Sequence, residues 1–288
     1  MTEPKIFITR IIPDRGLELV KEYIPYFDIW SAEIPPTRED LLKQVRGVDG
    51  LLCLLTEKID AELMDAAGSQ IKVISSMSVG VDHIDVSAAT TRGIPIGNTP
   101  GVLTDATADM AFALLFAAAR RVVEGEKYVR SGKWKTWNPK LLLGADLVGA
   151  TLGIVGFGRI GQAVAKRALG FDMRVIYYDP TAQSAYGARS IDLDTLLRES
   201  DFVSIHVPLT EKTKRLVNVD FLAKMKPNSI LVNTSRGGVV DQTALYDALK
   251  AKKIFAAALD VTDPEPLPID SPLLELENCL IVPHLGSA

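Results

Sequence analysis

Three polar side chains, far apart in the chain, stand where chemistry could be done: Arg236, Glu265 and His284. Arg236 follows the run Ile230-Leu-Val-Asn-Thr-Ser and precedes two glycines. Glu265 lies in Asp263-Pro-Glu-Pro, shortly after the run that ends Leu259-Asp260. His284 follows Ile281-Val-Pro. Each falls just beyond the carboxyl end of an expected parallel strand, the edge at which open α/β sheets bind ligands. An arginine holds a carboxylate or a carbonyl oxygen with a fixed fork of donors. A histidine can give a proton to a carbonyl oxygen. A glutamate can accept from the other ring nitrogen, fix the ring and keep its protonated form available. Singly, each has an ordinary explanation as a solvated arginine, a loop charge or a structural histidine. Together they suit carbonyl reduction, provided a hydride donor is held at the same edge.

The chain carries the motif for such a donor. Gly156-Phe-Gly158-Arg159-Ile160-Gly161 follows a short apolar run, Thr151-Leu-Gly-Ile-Val, that reads as a buried strand. The helix former Gln162-Ala-Val-Ala-Lys-Arg-Ala-Leu comes next, then a second apolar run, Met173-Arg-Val-Ile-Tyr-Tyr, ending in Asp179. Strand, glycine turn, helix, strand and acid is the dinucleotide-binding order. The first glycine permits the tight turn, the second lets backbone N–H groups approach a pyrophosphate, and the third lets the helix lie close to the sheet. The helix N-terminus holds the anion. Asp179 comes 18 residues after Gly161, close to the ~20 expected of the acid that binds the ribose hydroxyls. A carboxylate there repels a 2′-phosphate, so NADH is expected over NADPH. Beside a nicotinamide ring the three side chains would reduce a 2-oxo acid, or oxidise a 2-hydroxy acid in reverse.

The elements that must position these groups alternate along the whole chain. Strand-like runs at 5–10, 27–30, 50–55, 72–76 and 94–96 are interleaved with helical patterns such as 38–45 and 61–67. A second series of strands follows the glycine motif, at 202–207, 229–233, 254–259 and 279–282, with helices at 193–199, 220–225 and 242–251. Alternation of this kind predicts parallel sheets with helices on both faces. The stretch 179–193 is too brief for a crossover helix and is expected to form a compact loop or a single turn. Between the two series, the apolar stretch from Met110 to Ala119 is about half the ~20 residues that a membrane span needs. It reads as a buried helix starting near Thr104–Asp105 and ending at Arg120–Arg121. Trp134 and Trp137 follow beside Lys, Pro and Gly, an unusual composition for a core helix. An arm packed on a second subunit accounts for them better than one packed on its own domain.

Composition sets the bounds. At 288 residues two domains are expected, and 47% hydrophobic residues supply real cores. A net charge of −4 argues against a nucleic-acid or anionic-membrane partner. Cys53 and Cys279, both in strand-like apolar runs, read as buried free thiols in a reducing compartment. No secretory signal is recognisable, and a soluble cytoplasmic protein is the expectation. His83 and His206 read as structural, His206 within a strand. No group of His, Cys and acids shows metal-ligand spacing.

Asn233-Thr-Ser-Arg236-Gly, Asp260-Val-Thr-Asp-Pro-Glu265-Pro and Pro283-His284-Leu-Gly-Ser resemble the signature segments of the D-isomer-specific 2-hydroxyacid dehydrogenases. The resemblance covers essentially the whole chain. Within the family it is greatest to the glyoxylate/hydroxypyruvate reductases, carried by Leu51-Leu-Cys-Leu-Leu, Val73-Ile-Ser-Ser-Met-Ser-Val-Gly80 and Leu103-Thr-Asp-Ala-Thr. It implies an α/β protein of two Rossmann-like, doubly wound parallel-sheet domains. Residues 1–100 would be a flavodoxin-like substrate domain. Residues 101–288 would be the NAD-binding domain, with a homodimerisation arm at about 104–148. Glyoxylate or hydroxypyruvate would be reduced, with His284 as proton donor, Glu265 orienting it and Arg236 holding the acid.

The same resemblance gives Val79 and Gly80 the role of offering N–H groups to the substrate carboxylate, with Leu54 and Ser78 lining that pocket. It gives Thr107, Arg159, Ile160, Val207, Thr234 and Asp260 contacts with the cofactor, Asp260 near the carboxamide. NADPH-preferring reductases of the family typically replace the acid at Asp179; this chain keeps it. Family members also run some tens of residues past the histidine, into a helix that returns to the first domain. This chain stops at Ala288, so that closing helix is expected to be missing and domain closure to be poorly controlled. The rival readings are the same chemistry on another 2-hydroxy acid such as 3-phosphoglycerate, an NADH-sensing corepressor-like scaffold, and a hydrolase using bound NAD. Against the first, no basic cluster surrounds Ser78–Gly80; against the last, the expected cysteine and lysine motifs are not visible.

Overall fold

A computed structural model describes residues 3–288. The chain divides into two compact units, Met1–Val102 and Leu103–Ala288.

The first unit is a five-stranded sheet. Its elements are β1 (Ile6–Ile8), α1 (Asp14–Tyr23), β2 (Asp28–Ile29), α2 (Arg38–Gln44), β3 (Gly50–Cys53), α3 (Ala61–Ala67), β4 (Val73–Ser76), α4 (Val86–Thr91) and β5 (Ile96–Gly97). The strand order is β2-β1-β3-β4-β5, all parallel. This is the flavodoxin-like order, whose switch point lies between β1 and β3. Side chains start the helices: the Thr37 hydroxyl and the Asp60 and Asp85 carboxylates accept the N–H groups of Asp40, Leu63 and Ala88. A core of Phe7, Leu51, Ile59, Leu63, Met64 and Ile74, each almost wholly buried, lies between the sheet and its helices.

The second unit opens with α5 (Thr104–Ala119) and α6 (Val122–Arg130). The apolar stretch is therefore one buried helix, and the charged continuation is a separate one. The break is at Arg121, whose left-handed backbone (φ 52°) turns the chain. There follow β6 (Thr151–Val155), α7 (Arg159–Ala168), β7 (Arg174–Tyr178), β8 (Arg189–Ser190), α8 (Leu193–Glu199), β9 (Phe202–Ile205), α9 (Val219–Lys224), β10 (Ile230–Asn233), α10 (Gln242–Lys250), β11 (Ala256–Leu259) and β12 (Cys279–Ile281). The parallel sheet runs β12-β11-β10-β9-β6-β7-β8, the Rossmann order with one added strand. Alternation along each strand separates its two cores. Leu152, Ile154, Phe202 and Val232 pack under α5 and α7; Val155, Val203, Ile205 and Leu231 pack with α8, α9 and α10.

Three expectations need correction. The stretch after Asp179 is a loop, as read, but it ends in an edge strand: Ile176 pairs with Arg189 and Tyr177 with Ser190. Two residues carry too little periodicity to register. The strand expected at 94–96 lies at Ile96–Gly97, because Ile94 is buried in the core and its N–H bonds to Ala89 O at the end of α4. His206 lies just beyond β9, not within it. Of the two thiols, Cys53 is fully buried and Cys279 only partly. Burial pushes both up to about 12, so neither is a ready nucleophile. Among the described residues, no helix is long and apolar enough to cross a membrane, and no group of three or more His, Cys, Asp or Glu is arranged to hold a metal.

Candidate active site

The glycine turn follows β6 at the switch point of the second sheet. Gly156 has φ +90°, open to glycine and strained for other residues, and a Cβ there would lie 2.7 Å from the His206 backbone. A Cβ on Gly161 would lie 2.3 Å from the Gly156 carbonyl oxygen, so only a glycine lets α7 start so close to the turn. Gly158 differs: a Cβ there would meet nothing within 4 Å. Its bare backbone faces open space, as close approach by a ligand requires. No side chain caps α7, so its first-turn N–H groups remain for an anion. Arg159 is exposed at the first position of that helix, and Ile160 is partly buried behind it.

Asp179 stands at the end of β7. One carboxylate oxygen accepts from Phe157 N–H (2.8 Å); the other accepts from the N–H groups of Thr181 and Ala182 and from the Thr181 hydroxyl. Burial alone would raise its pKa. These donors more than reverse that, and Asp179 stays below its ordinary value and charged. Beneath it the Phe157 and Tyr177 rings stack at 3.9 Å, tying the glycine turn to β7. The Thr234 hydroxyl, just past β10, and His206 Nδ1, just past β9, are buried with no hydrogen-bond partner among the described residues. Unmet polar atoms beside a glycine cradle and an uncapped helix end fit a bound dinucleotide.

The side chains singled out for chemistry gather at the same edge. His284 Nδ1 lies 2.6 Å from Glu265 Oε1. A carboxylate only accepts, so Nδ1 carries hydrogen and Nε2 is left to act. The Glu265 hydrogen bond raises the pKa of His284. Burial works against it, the charges of Glu265 and Asp260 add to it, and the Arg236 charge opposes it. The net direction is upward, and the field places all four side chains in one neighbourhood. His284 itself is held with φ 55°, uncommon for a residue other than glycine. The clamp is Asp260, 1% exposed. Its carbonyl oxygen accepts from His284 N–H, and its carboxylate accepts from Leu285 N–H and Gly286 N–H (2.6 and 2.8 Å). Thr107, buried near the start of α5, lies against Gly286. Val207 presents its backbone to Gly156.

Arg236 lies in a turn built by Asn233. The Asn233 amide donates to Arg236 O and accepts from Ser235 N–H and its hydroxyl. The Arg236 guanidinium donates to Ser235 O (2.8 Å). Gly237 follows because a Cβ there would fall 1.9 Å from Thr262 O. The Gln242 side chain holds both backbone groups of Asp263, two residues before Glu265. Asn233 and Gln242 were missed as site residues. Asn233 left a signal, a lone amide closing an apolar strand; Gln242 left none.

In the first unit, Leu54, Ser78, Val79 and Gly80 follow β3 and β4. The Ser78 hydroxyl donates to Gly80 O and pairs with the Ser76 hydroxyl, which in turn meets His83 Nε2 at 3.1 Å. Asn98 donates to Val79 O. This shapes the 76–83 loop. The Val79 and Gly80 N–H groups make no hydrogen bond among the described residues.

Residues 112–286 match the family "D-isomer specific 2-hydroxyacid dehydrogenase, NAD binding domain". A glyoxylate reductase of Korarchaeum cryptofilum is 53% identical over 291 residues, covering 99% of this chain and 87% of its own length. A solved protein of Thermus thermophilus superposes with a TM-score of 0.92 at 50% identity, over 98% of this chain and 90% of its own. An NADPH-dependent glyoxylate/hydroxypyruvate reductase of Sinorhizobium meliloti, solved with NADP and malonate, gives 0.87 at 33% identity, over 100% and 88%. The chain belongs to the D-isomer-specific 2-hydroxyacid dehydrogenases, an oxidoreductase family whose cofactor is a nicotinamide dinucleotide. Its similarity runs through both units of the glyoxylate reductase fold.

Proposed function

We propose that the protein reduces glyoxylate or hydroxypyruvate to the D-2-hydroxy acid, with NADH preferred over NADPH. The single observation that carries this is the His284–Glu265 hydrogen bond, set with Asp260 and Arg236 at the sheet edge that bears the glycine turn. When bound, the dinucleotide supplies hydride to the carbonyl carbon. His284 gives its Nε2 proton to the carbonyl oxygen. Glu265 keeps the imidazole oriented and its protonated form populated. Arg236 holds the acid and polarises the carbonyl, and the N–H groups of Val79 and Gly80 take the carboxylate, with Leu54 and Ser78 as the pocket wall. Thr107, Gly156, Gly158, Arg159, Ile160, Gly161, Asp179, Val207, Thr234 and Asp260 are the residues assigned to the cofactor site. The preference for NADH rests on the charged Asp179 carboxylate, which repels a 2′-phosphate.

Residues 1–100 carry the substrate role and 101–288 the cofactor role. The arm at about 104–148 joins two copies, a reading supported by Trp134 and Trp137, 59% and 78% exposed. Two unpaired thiols suit a cytoplasmic setting. The test is a series of 2-oxo acids with each cofactor, followed by nicotinamide absorbance. Glyoxylate and hydroxypyruvate should give the highest kcat/KM, with NADH ahead of NADPH. Negligible turnover on every acid would replace this reading with a cofactor-sensing scaffold.

A further inference from the structure

Glu57 is 3% exposed, yet it is a carboxylate. No cation reaches it among the described residues; its partners are neutral. One oxygen accepts from the Thr9 hydroxyl at 2.7 Å and from Leu54 N–H at 2.8 Å, and the other accepts from the Thr56 hydroxyl. Thr9 follows β1 and is fully buried; Leu54 follows β3. The carboxylate therefore bridges β1 and β3 at their carboxyl ends, the switch point of the first sheet. That crevice is where an open α/β sheet ordinarily takes its ligand. Here the chain's own side chain occupies it.

Burying a carboxylate without a cation is costly, and an apolar residue of similar size would serve the core at least as well. What the carboxylate achieves is geometric. Its hold on Leu54 N–H sets the path of the chain as it leaves β3. It also consumes that N–H, so Leu54 has no backbone donor to offer, whereas Val79 and Gly80 keep theirs. The 54–59 segment is joined to the neighbouring loop by Ile59 N–H to His83 O at 2.9 Å, and His83 contacts Ser76 in the network that shapes Gly80.

We infer that Glu57 is a positioning residue for the 2-oxo acid: it fills the switch point of the first sheet and sets Leu54 as the apolar wall beside the Val79–Gly80 amides. The inference rests on the reductase reading above. A positioning role has a signature that a merely structural one lacks. Weaker packing lowers melting temperature and active fraction, so apparent kcat falls. A displaced substrate wall raises KM for the acid and leaves KM for NADH alone.

The test compares wild type with Glu57→Ala, Glu57→Gln and Thr9→Val on glyoxylate and NADH, with thermal melts alongside. Glutamine can remake all three bonds, accepting from Leu54 N–H and Thr9 and donating to the Thr56 hydroxyl. Glu57→Ala should raise the glyoxylate KM about tenfold or more, with KM for NADH within about twofold. Thr9→Val should give a smaller rise, and Glu57→Gln should return KM to within about threefold of wild type. The inference is overturned if folded Glu57→Ala keeps the wild-type glyoxylate KM, or if both KM values rise together. If Glu57→Ala does not fold, Thr9→Val decides: an unchanged glyoxylate KM overturns it. A wild-type enzyme that turns over neither glyoxylate nor hydroxypyruvate sinks the reductase reading itself, and this inference with it.

Discussion

Glu265 Oε1 and His284 Nδ1 lie 2.6 Å apart across 19 residues of chain, and this contact favours the protonated imidazole. The hydrogen bond raises the pKa of His284 above its ordinary value, against the pull of burial. In the proposed mechanism, reduction draws on the protonated ring. Its rate is therefore full below the raised pKa and falls as pH climbs through it; oxidation behaves in the opposite sense. Glu265→Gln removes the charge that sustains the rise. The alkaline limb of kcat for reduction should move down toward the ordinary histidine value, and the rate at neutral pH should fall by up to about fourfold. Profiles of kcat against pH for the two proteins test this. Superimposable limbs would separate Glu265 from the titration.

On the proposed mechanism, removing the ring removes the proton donor. For His284→Ala, kcat on glyoxylate should drop by about 10²–10⁴ while KM for NADH changes little. Steady-state kinetics on the purified variant is sufficient, and near-normal turnover would take His284 out of the mechanism.

The proposed function gives Asp179 two tasks, and its variant should show both. Asp179→Ala removes the charge that opposes a 2′-phosphate, so the ratio of kcat/KM for NADH over NADPH should fall about tenfold or more. It also releases Phe157 N–H and the 181–182 turn. Absolute efficiency with NADPH should therefore gain little. An unchanged ratio in assays with both cofactors would show that selection lies elsewhere.

The glycines of the turn should separate by function. Gly161→Ala forces a Cβ to 2.3 Å from Gly156 O and should cost about 1–3 kcal/mol of stability, seen as a lower melting temperature. Gly158→Ala meets nothing within 4 Å. Its melting temperature should hold while NADH affinity, read by fluorescence titration, drops. Equal melting and equal affinity in Gly158→Ala would mean that no cofactor passes close to that backbone.

If the arm joins two copies as proposed, Trp134→Ser with Trp137→Ser should shift sedimentation from dimer to monomer at micromolar protein, since exposed aromatics in an arm are natural interface anchors. A wild-type chain already monomeric would remove the arm's assigned role.

Much of this was legible in the chain. The two series of alternating runs, the glycine turn with its flanking strands, and the helices read at 61–67, 193–199 and 242–251 are local patterns. They depend on periodicity and turn chemistry within a dozen residues. Arg236, Glu265 and His284 could be singled out for the same reason: each is a chemically capable side chain just past an apolar run. The two-residue edge strand β8 and the shift of β5 to Ile96–Gly97 were beyond such reading, because partners across the sheet, not local preference, make them strands.

The order of residue types along the chain thus determined two parallel α/β units, a dinucleotide turn and a short roll of reactive side chains. Tertiary structure alone decided how those side chains are held. Asp260, read in the sequence as a cofactor contact, clamps the left-handed turn of His284 through Leu285 and Gly286. Asn233 folds the Arg236 turn. Glu57, just past the strand-like run 50–55, is buried across the ends of two strands. Hydrogen bonds of this kind join atoms brought within about 3 Å by sheet register and helix packing, and separation along a chain carries no measure of that approach.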